Sequence, residues 1–404
     1  MVLSVIKIYR LSGMPPMDKR PLEIVERKGL GHPDTICDGI GERIALYLTR
    51  YYYERFGYPL HFNIDKCVLA GGRSQPRFGG GRVIEPILLH FVGRATLSVK
   101  TDEGIEHVPV GTLVREAVVD WISENFRYLD PIRHVSTIYT IRPGSVDLRS
   151  LYEKIREEGV PPANDTSVGV GFYPLSEAER ICLETERYLN DKDFKRRLPA
   201  VGEDIKVMCV REEDTLRITI GMATIDSELS SPSDYLALKE EVTEILRDRL
   251  SSMTSREIAI NINTADDPAK SIYYLTVTGT SAEAGDDGQI GRGNRWNGLI
   301  TPLRHMSIEA HAGKNPVSHV GKIYQYAAQY AAERIHRETG VDEVYVMFVS
   351  TIGEPINKPQ LAYVQYIGEE GSGVEGDIAG IIRDVLEALP RFWQKFIEGG
   401  ISAV

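Results

Sequence analysis

The chain has 404 residues, of which 42% are hydrophobic and 26% charged, the make-up of a folded enzyme rather than of a disordered or fibrous protein. Forty-seven Lys and Arg against 58 Asp and Glu leave a net charge of −11, which argues against binding nucleic acid or an anionic membrane through bulk electrostatics. No apolar run approaches the ~20 residues of a membrane span, and MVLSVIKIYR at the start lacks a signal-peptide layout. The expectation is a cytoplasmic protein of several domains, since one domain takes roughly 100–200 residues. Cys37, Cys67, Cys182 and Cys209 show no CxxC pair or metal-ligand spacing and read as reduced, buried thiols.

In chain order, a helical period runs over residues 38–56, with Ile40, Ile44, Tyr47, Leu48 and Tyr51 on one face. A second covers 114–126 through Val114, Ala117, Val118, Trp121 and Ile122. Ser176 with Glu179 three residues on forms a capping box and opens a third. A strand follows in which Leu216, Ile218, Ile220 and Met222 alternate with polar residues or glycine. Ser231-Pro232 starts a fourth helix, and 258–262 and 273–280 read as strands. A fifth helix follows Asn315-Pro316 and runs to about His336, strands cover 344–351 and 361–367, and a sixth helix follows Asp377. Short turns between strands, as at Gly353-Glu354-Pro355, predict antiparallel hairpins packed on helices, an α+β layout. Six helices predict two per domain if there are three domains, placed at 1–140, 141–265 and 266–404 and expected to be discontinuous. GVPPAND (159–165) and GEEGSGVEG (368–376) are the linker candidates.

The chemistry concentrates in two places. Residues 284–322 combine many glycines with Asp286, Asp287, Arg292, Arg295, Arg304, Lys314, His319 and Lys322. Glycine lets backbone N–H groups approach phosphate oxygens and the cations neutralise them, so this stretch is either an anion site or a solvated loop. It contains no P-loop and no GxGxxG. GLGHPDTICDGIGERI (29–44) sets His32 and Asp34 around Pro33, just before the first helix. Asp34 is either that helix's N-cap or, with His32, part of a surface for a polyphosphate–metal complex. Taken singly, the glycine- and arginine-rich 68–82, IRPGS (141–145), Asp165 and Lys206 each suit an ordinary turn or strand. No GxSxG elbow and no HExxH is present, so neither serine-triad nor zinc catalysis has support.

In this order, GHPDTICD (31–38), AGDDGQIGRGNR (284–295) and HAGKNPVSHVGK (311–322) resemble the S-adenosylmethionine synthetases, or methionine adenosyltransferases, in their archaeal-type branch. The resemblance extends over nearly the whole chain. It implies three similar α+β domains about a pseudo-threefold axis, with mixed and antiparallel sheets packed against helices. It also implies a reaction: methionine sulfur attacks C5′ of ATP, expelling triphosphate that is hydrolysed to pyrophosphate and phosphate. Implied partners are ATP and L-methionine, Mg²⁺ with K⁺ as a second candidate, and a second copy of the chain in a homodimer, with tetramers in some members. Nucleic acid and membrane are not among them. By resemblance His32, Lys314 and Arg292 are catalytic, Asp34 binds the metal, and Asp165 and Asp286 bind methionine. Ile141, Arg142, Pro143, Gly144, Ser145 and Val146 form the ATP-contacting turn.

The chain departs from the bacterial pattern at several points. Thr35 stands where a lysine follows GHPD, Arg73 replaces a glutamate, Gly293 replaces a lysine and Asn315 an aspartate, while Val320 falls near the second metal aspartate. Arg295, His319, Lys322 and Lys206 are expected to supply the missing phosphate-binding cations. The competing readings are another ATP-dependent phosphotransferase and a catalytically inactive regulatory homologue.

Overall fold

Period-two strands and amphipathic helices sort this chain into three main sheets, each packed with two long helices. The computed structural model describes residues 5–144, 159–369, 371 and 373–399. The first sheet runs in the order Gly288–Gln289, Phe62–Ala70, Ile87–Ala95, Val135–Arg142. Helices α1 (Pro33–Phe56) and α2 (Val110–Asn125) cover it, and Ile40, Ile44 and Leu48 bury against Leu69, Leu89 and Phe91. The second sheet is Glu257–Ile262, Thr215–Ile225, Val201–Glu212, Leu22–Lys28, covered by α3 (Glu177–Leu189) and α4 (Pro232–Ser251). The third is Ile6–Arg10, Leu361–Ile367, Glu343–Val349, Val168–Tyr173, covered by α5 (Val320–Thr339) and α6 (Val374–Ala388). The third sheet thus joins the first strand of the chain to the last. Among the described residues no helix is long and apolar enough to cross a membrane.

The hairpin expectation holds both across the short turn at 213–214 and across the longer connection at 350–360. Val201–Glu212 pairs antiparallel with Thr215–Ile225, and Glu343–Val349 with Leu361–Ile367. Where a helix intervenes, the strands it joins run parallel, because the crossover returns the chain to the same end of the sheet. Thus α2 separates the parallel pair Ile87–Ala95 and Val135–Arg142, and α4 separates Thr215–Ile225 from Glu257–Ile262. The sheets are mixed for that reason.

The capping box at Ser176 forms, with the Glu179 backbone N–H on the Ser176 hydroxyl and the Glu179 carboxylate on the Ser176 N–H, and Ser231 caps α4. Two short helices, Lys192–Arg197 and Phe392–Ile397, are too brief to show a period in the sequence. The 273–280 run forms ladder bonds only at Leu275–Thr276.

A buried ionic cluster ties the second unit to the third. The Arg304 guanidinium, 1% exposed, bonds both carboxylate oxygens of Glu179 on α3 at 2.9 Å and reaches Glu343 of the third sheet at 2.8 Å. Glu343 also accepts the Met17 N–H at 2.8 Å, which pins the connection between the third and second sheets. Removing the cation leaves two carboxylates in an interior that cannot solvate them. Arg304→Met is expected to cost about 3–5 kcal/mol in urea unfolding, whereas a loss under 1 kcal/mol would mean that water replaces the guanidinium there.

Candidate active site

The site is built where the second sheet hands the chain to α1. After Lys28 the backbone runs past the neighbouring strand, with Gly29 N–H on the Ile205 carbonyl at 2.7 Å and Gly31 N–H on that of Glu203 at 2.9 Å. A Cβ on Gly31 would lie 2.2 Å from the Asp204 nitrogen, so only glycine allows this approach. His32 then caps α1, with Pro33 in the first turn. The cap is therefore His32, and Asp34 is released from the alternative role of N-cap.

Capping fixes the chemistry of His32. Its Nδ1 accepts the Asp34 backbone N–H at 3.1 Å, which places the ring proton on Nε2. Burial lowers its pKa below the ordinary value, against the opposing pull of Asp204 and Asp34, and so keeps the ring a neutral N–H donor. Asp34 accepts the Gln289 N–H on Oδ1 at 2.8 Å and the Lys28 ammonium on Oδ2 at 2.8 Å. Burial raises its pKa, but Lys28 and the Gln289 N–H outweigh that and hold it below the usual range. The Lys28 ammonium also bonds the Arg292 carbonyl at 2.7 Å.

One face of α1 carries Asp34, Asp38 and Glu42 at successive turns, and each carboxylate grips the glycine-rich segment. Asp38 accepts the Gly291 N–H at 2.7 Å, and Glu42 accepts the Gly313 N–H at 3.3 Å and the Lys322 ammonium at 2.6 Å. The N–H groups of Gln289 and Gly291, offered by the sequence as phosphate donors, are thus taken by aspartates. Arg295 turns inward and bonds the carbonyls of Gly291 and Gly293 at 2.7 Å each, and Arg292 is exposed.

The second cluster lies at the start of α5. Lys314 bridges to Asn63 of the first sheet through its backbone, and its ammonium lies 2.7 Å from Glu309 and 3.2 Å from Asp65. Burial works to raise the Asp65 pKa, but Lys314 and Lys66 outweigh it and hold the carboxyl at about 2. His319 caps α5 as His32 caps α1, its Nδ1 accepting the Gly321 N–H at 3.3 Å, and burial drives its pKa well down. Lys322 is fully buried beneath Phe396 and against Glu42.

The other residues singled out by sequence take these places. Asp286 and Asp204 share the Ser281 hydroxyl at 3.0 and 2.6 Å, which brings Asp286 toward the His32 loop. Lys206 extends beside Glu26 at 3.3 Å, 45% exposed, with its charge felt at His32. Asp165 is exposed next to the α5 cap, since the Asn164 N–H bonds the Ser318 carbonyl at 3.1 Å. Ile141 and Arg142 end the edge strand of the first sheet, with Arg142 in register with Arg94. Pro143 and Gly144 follow, and a Cβ on Gly144 would lie 2.7 Å from the His61 ring. Ser145 and Val146 lie outside the described residues.

The family model for S-adenosylmethionine synthetase (AdoMet synthetase) matches residues 4–400. The chain belongs to the S-adenosylmethionine synthetase family. It is 51% identical over 394 residues to the S-adenosylmethionine synthase of Aeropyrum pernix, covering 96% of this chain and 97% of that one. It is 48% identical over 390 residues to that of Pyrococcus horikoshii, covering 96% of each. The fold resembles that of an unusual S-adenosylmethionine synthetase from Campylobacter jejuni, with a TM-score of 0.59 at 14% identity over 94% of this chain and 99% of that one. Sequence reasoning passed over Lys28, Asp38, Glu42 and Asp204, which the fold brings against the His32 loop and the glycine-rich segment. The spacing of Asp34, Asp38 and Glu42 is readable as one helix face, but Lys28 and Asp204 enter only through the second sheet.

Burial raises the pKa of Asp38 to about 7, against the Gly291 N–H and Arg295. A carboxyl raised above its unfolded value stabilises the fold fully below the unfolded pKa, and that contribution is lost as pH rises through the folded one. Asp38→Asn keeps an oxygen for Gly291, so in urea unfolding it is expected to be more stable than the parent at pH 8, by up to about 4 kcal/mol. The advantage should shrink toward pH 4, and a difference independent of pH would show that Asp38 is not the titrating group.

Proposed function

We propose that this chain makes S-adenosylmethionine from ATP and L-methionine, and that His32 faces the bond that breaks. The methionine thioether attacks C5′ of ATP, the C5′–O bond breaks, and its electron pair leaves on the triphosphate. A thioether carries no proton to remove, so the chemistry needs no general base. It needs donors and cations at the departing oxygens. The carrying observation is the His32 cap, which presents a neutral Nε2–H at the start of a helix whose dipole favours anions. Lys206, Arg292 and Lys314 are assigned to the phosphates, and Asp286 and Asp165 to methionine. Water then cleaves the triphosphate to pyrophosphate and phosphate.

The metal proposed is Mg²⁺. Among the described residues no three acidic, histidine or cysteine side chains converge as a cage. One ionised carboxylate plus phosphate oxygens suits Mg²⁺, which is commonly held that way, and Asp34 is kept ionised. Bound there, the metal would neutralise phosphate charge. Self-association as a homodimer, with pairing into tetramers as a further step, is part of the proposal. It is supported by the exposed apolar side chains Val68, Leu88 and Ile138 on the first sheet. A cytoplasmic location completes it.

Product analysis of purified protein with ATP, methionine and Mg²⁺ tests the reading. AdoMet with pyrophosphate and phosphate is expected, whereas ADP would identify a phosphotransferase and no product an inactive homologue. His32→Ala is expected to slow AdoMet formation by about 10²–10³-fold while ATP affinity changes far less, because its role concerns the leaving group. Equal losses in both would remove it from that role. Because burial lowers the His32 pKa from its ordinary value, the acid limb of turnover should lie below 6.5. A limb that lies above 6.5 and persists in His32→Gln would assign the titration elsewhere.

A further inference from the structure

We infer that Lys28 is a phosphate-binding cation of this site and takes the place of the lysine that the resemblance expects at position 35. The inference rests on the function proposed above and concerns a residue that no motif marks. Lys28 is the last residue of Leu22–Lys28, so it reaches the site from the second sheet and not from α1. Its ammonium lies 2.8 Å from Asp34 Oδ2 and 2.7 Å from the Arg292 carbonyl, between the metal-binding candidate and the arginine assigned to phosphate.

The backbone of Lys28 is held by three bonds from two side chains. Its N–H donates to Asn294 Oδ1 at 3.0 Å, and its carbonyl accepts the Asn294 side-chain amide at 2.8 Å and the Thr35 hydroxyl at 3.1 Å. Residue 35 thus carries no ammonium, and its hydroxyl anchors the residue that does. A lysine at 35 would stand one position after Asp34, whereas Lys28 brings its ammonium onto the Asp34 carboxylate from the second sheet. At rest that carboxylate is the counterion of Lys28. Once Asp34 is neutralised by a divalent cation, the ammonium is left with phosphate oxygens as its anionic partners.

Calorimetric titration of tripolyphosphate with Mg²⁺ into the purified chain tests this without relying on turnover. Lys28→Met is expected to weaken binding by about tenfold or more and to lower kcat for AdoMet by about a hundredfold, while Lys28→Arg keeps most of the affinity. The double variant Lys28→Met/Thr35→Lys should regain most of the lost affinity. A merely structural lysine would lower the melting temperature and leave the affinity of the folded protein unchanged. Parent-like tripolyphosphate binding by folded Lys28→Met overturns the inference, as does a double variant that regains stability but not affinity. If Lys28→Met does not fold, Lys28→Gln and the double variant carry the same titration. A parent that binds tripolyphosphate yet forms no AdoMet would sink the proposed activity, and the titration would still decide Lys28.

Discussion

The arrangement depends on one row of carboxylates. Asp34, Asp38 and Glu42 stand at successive turns of α1, and each closes a bond onto a segment more than 250 residues away in the chain. Glycine makes the contact possible, because a Cβ on Gly293 would lie 2.3 Å from Asp38 Oδ2 and one on Gly288 would lie 2.4 Å from the Pro33 carbonyl. The helix fixes the spacing of the carboxylates and the glycines let the loop come down onto them. The cations of the segment are then set by a rigid element and not by a free loop.

This row also bears on how an acidic protein gathers cations in one region. The sequence concentrates positive charge between Arg292 and Lys322, yet the folded chain does not leave it bare. Arg304 is held by Glu179 and Glu343, Lys314 by Glu309 and Asp65, and Lys322 by Glu42. Each cation keeps a counterion in a region largely shielded from water, where an isolated charge would be far costlier. Two histidine caps, His32 on α1 and His319 on α5, repeat one device, with Nδ1 on the backbone N–H two residues on. The caps orient both rings, and burial lowers the pKa of each.

Much of this architecture is legible in short stretches of the chain. The six helices, the capping box at Ser176, the Ser231 start and the strand 361–367 follow from periodicity and caps, which are local properties. The resemblance places His32, Asp34 and the 284–322 segment in one site. The residues it misses have a common feature: Lys28 and Asp204 are ordinary strand residues that the second sheet brings beside Asp34 and Ser281. Arg295 and Lys322 read as phosphate cations by composition, whereas in the fold one bonds backbone carbonyls and the other a buried carboxylate.

The sequence by itself determined the family, the class of chemistry, and the α+β character, because motifs, periods and caps are written within short windows. Tertiary structure decided that His32 rather than Asp34 caps α1, that helix crossovers make the sheets mixed, and that the third sheet joins the chain's first strand to its last. It also decided the partners of Lys28, Arg295, Lys314 and Lys322. The distant pairs, Lys322 with Glu42 and Arg304 with Glu179, lie more than a hundred residues apart, and pairing at such separations is set by how helices and sheets pack, which no local pattern encodes.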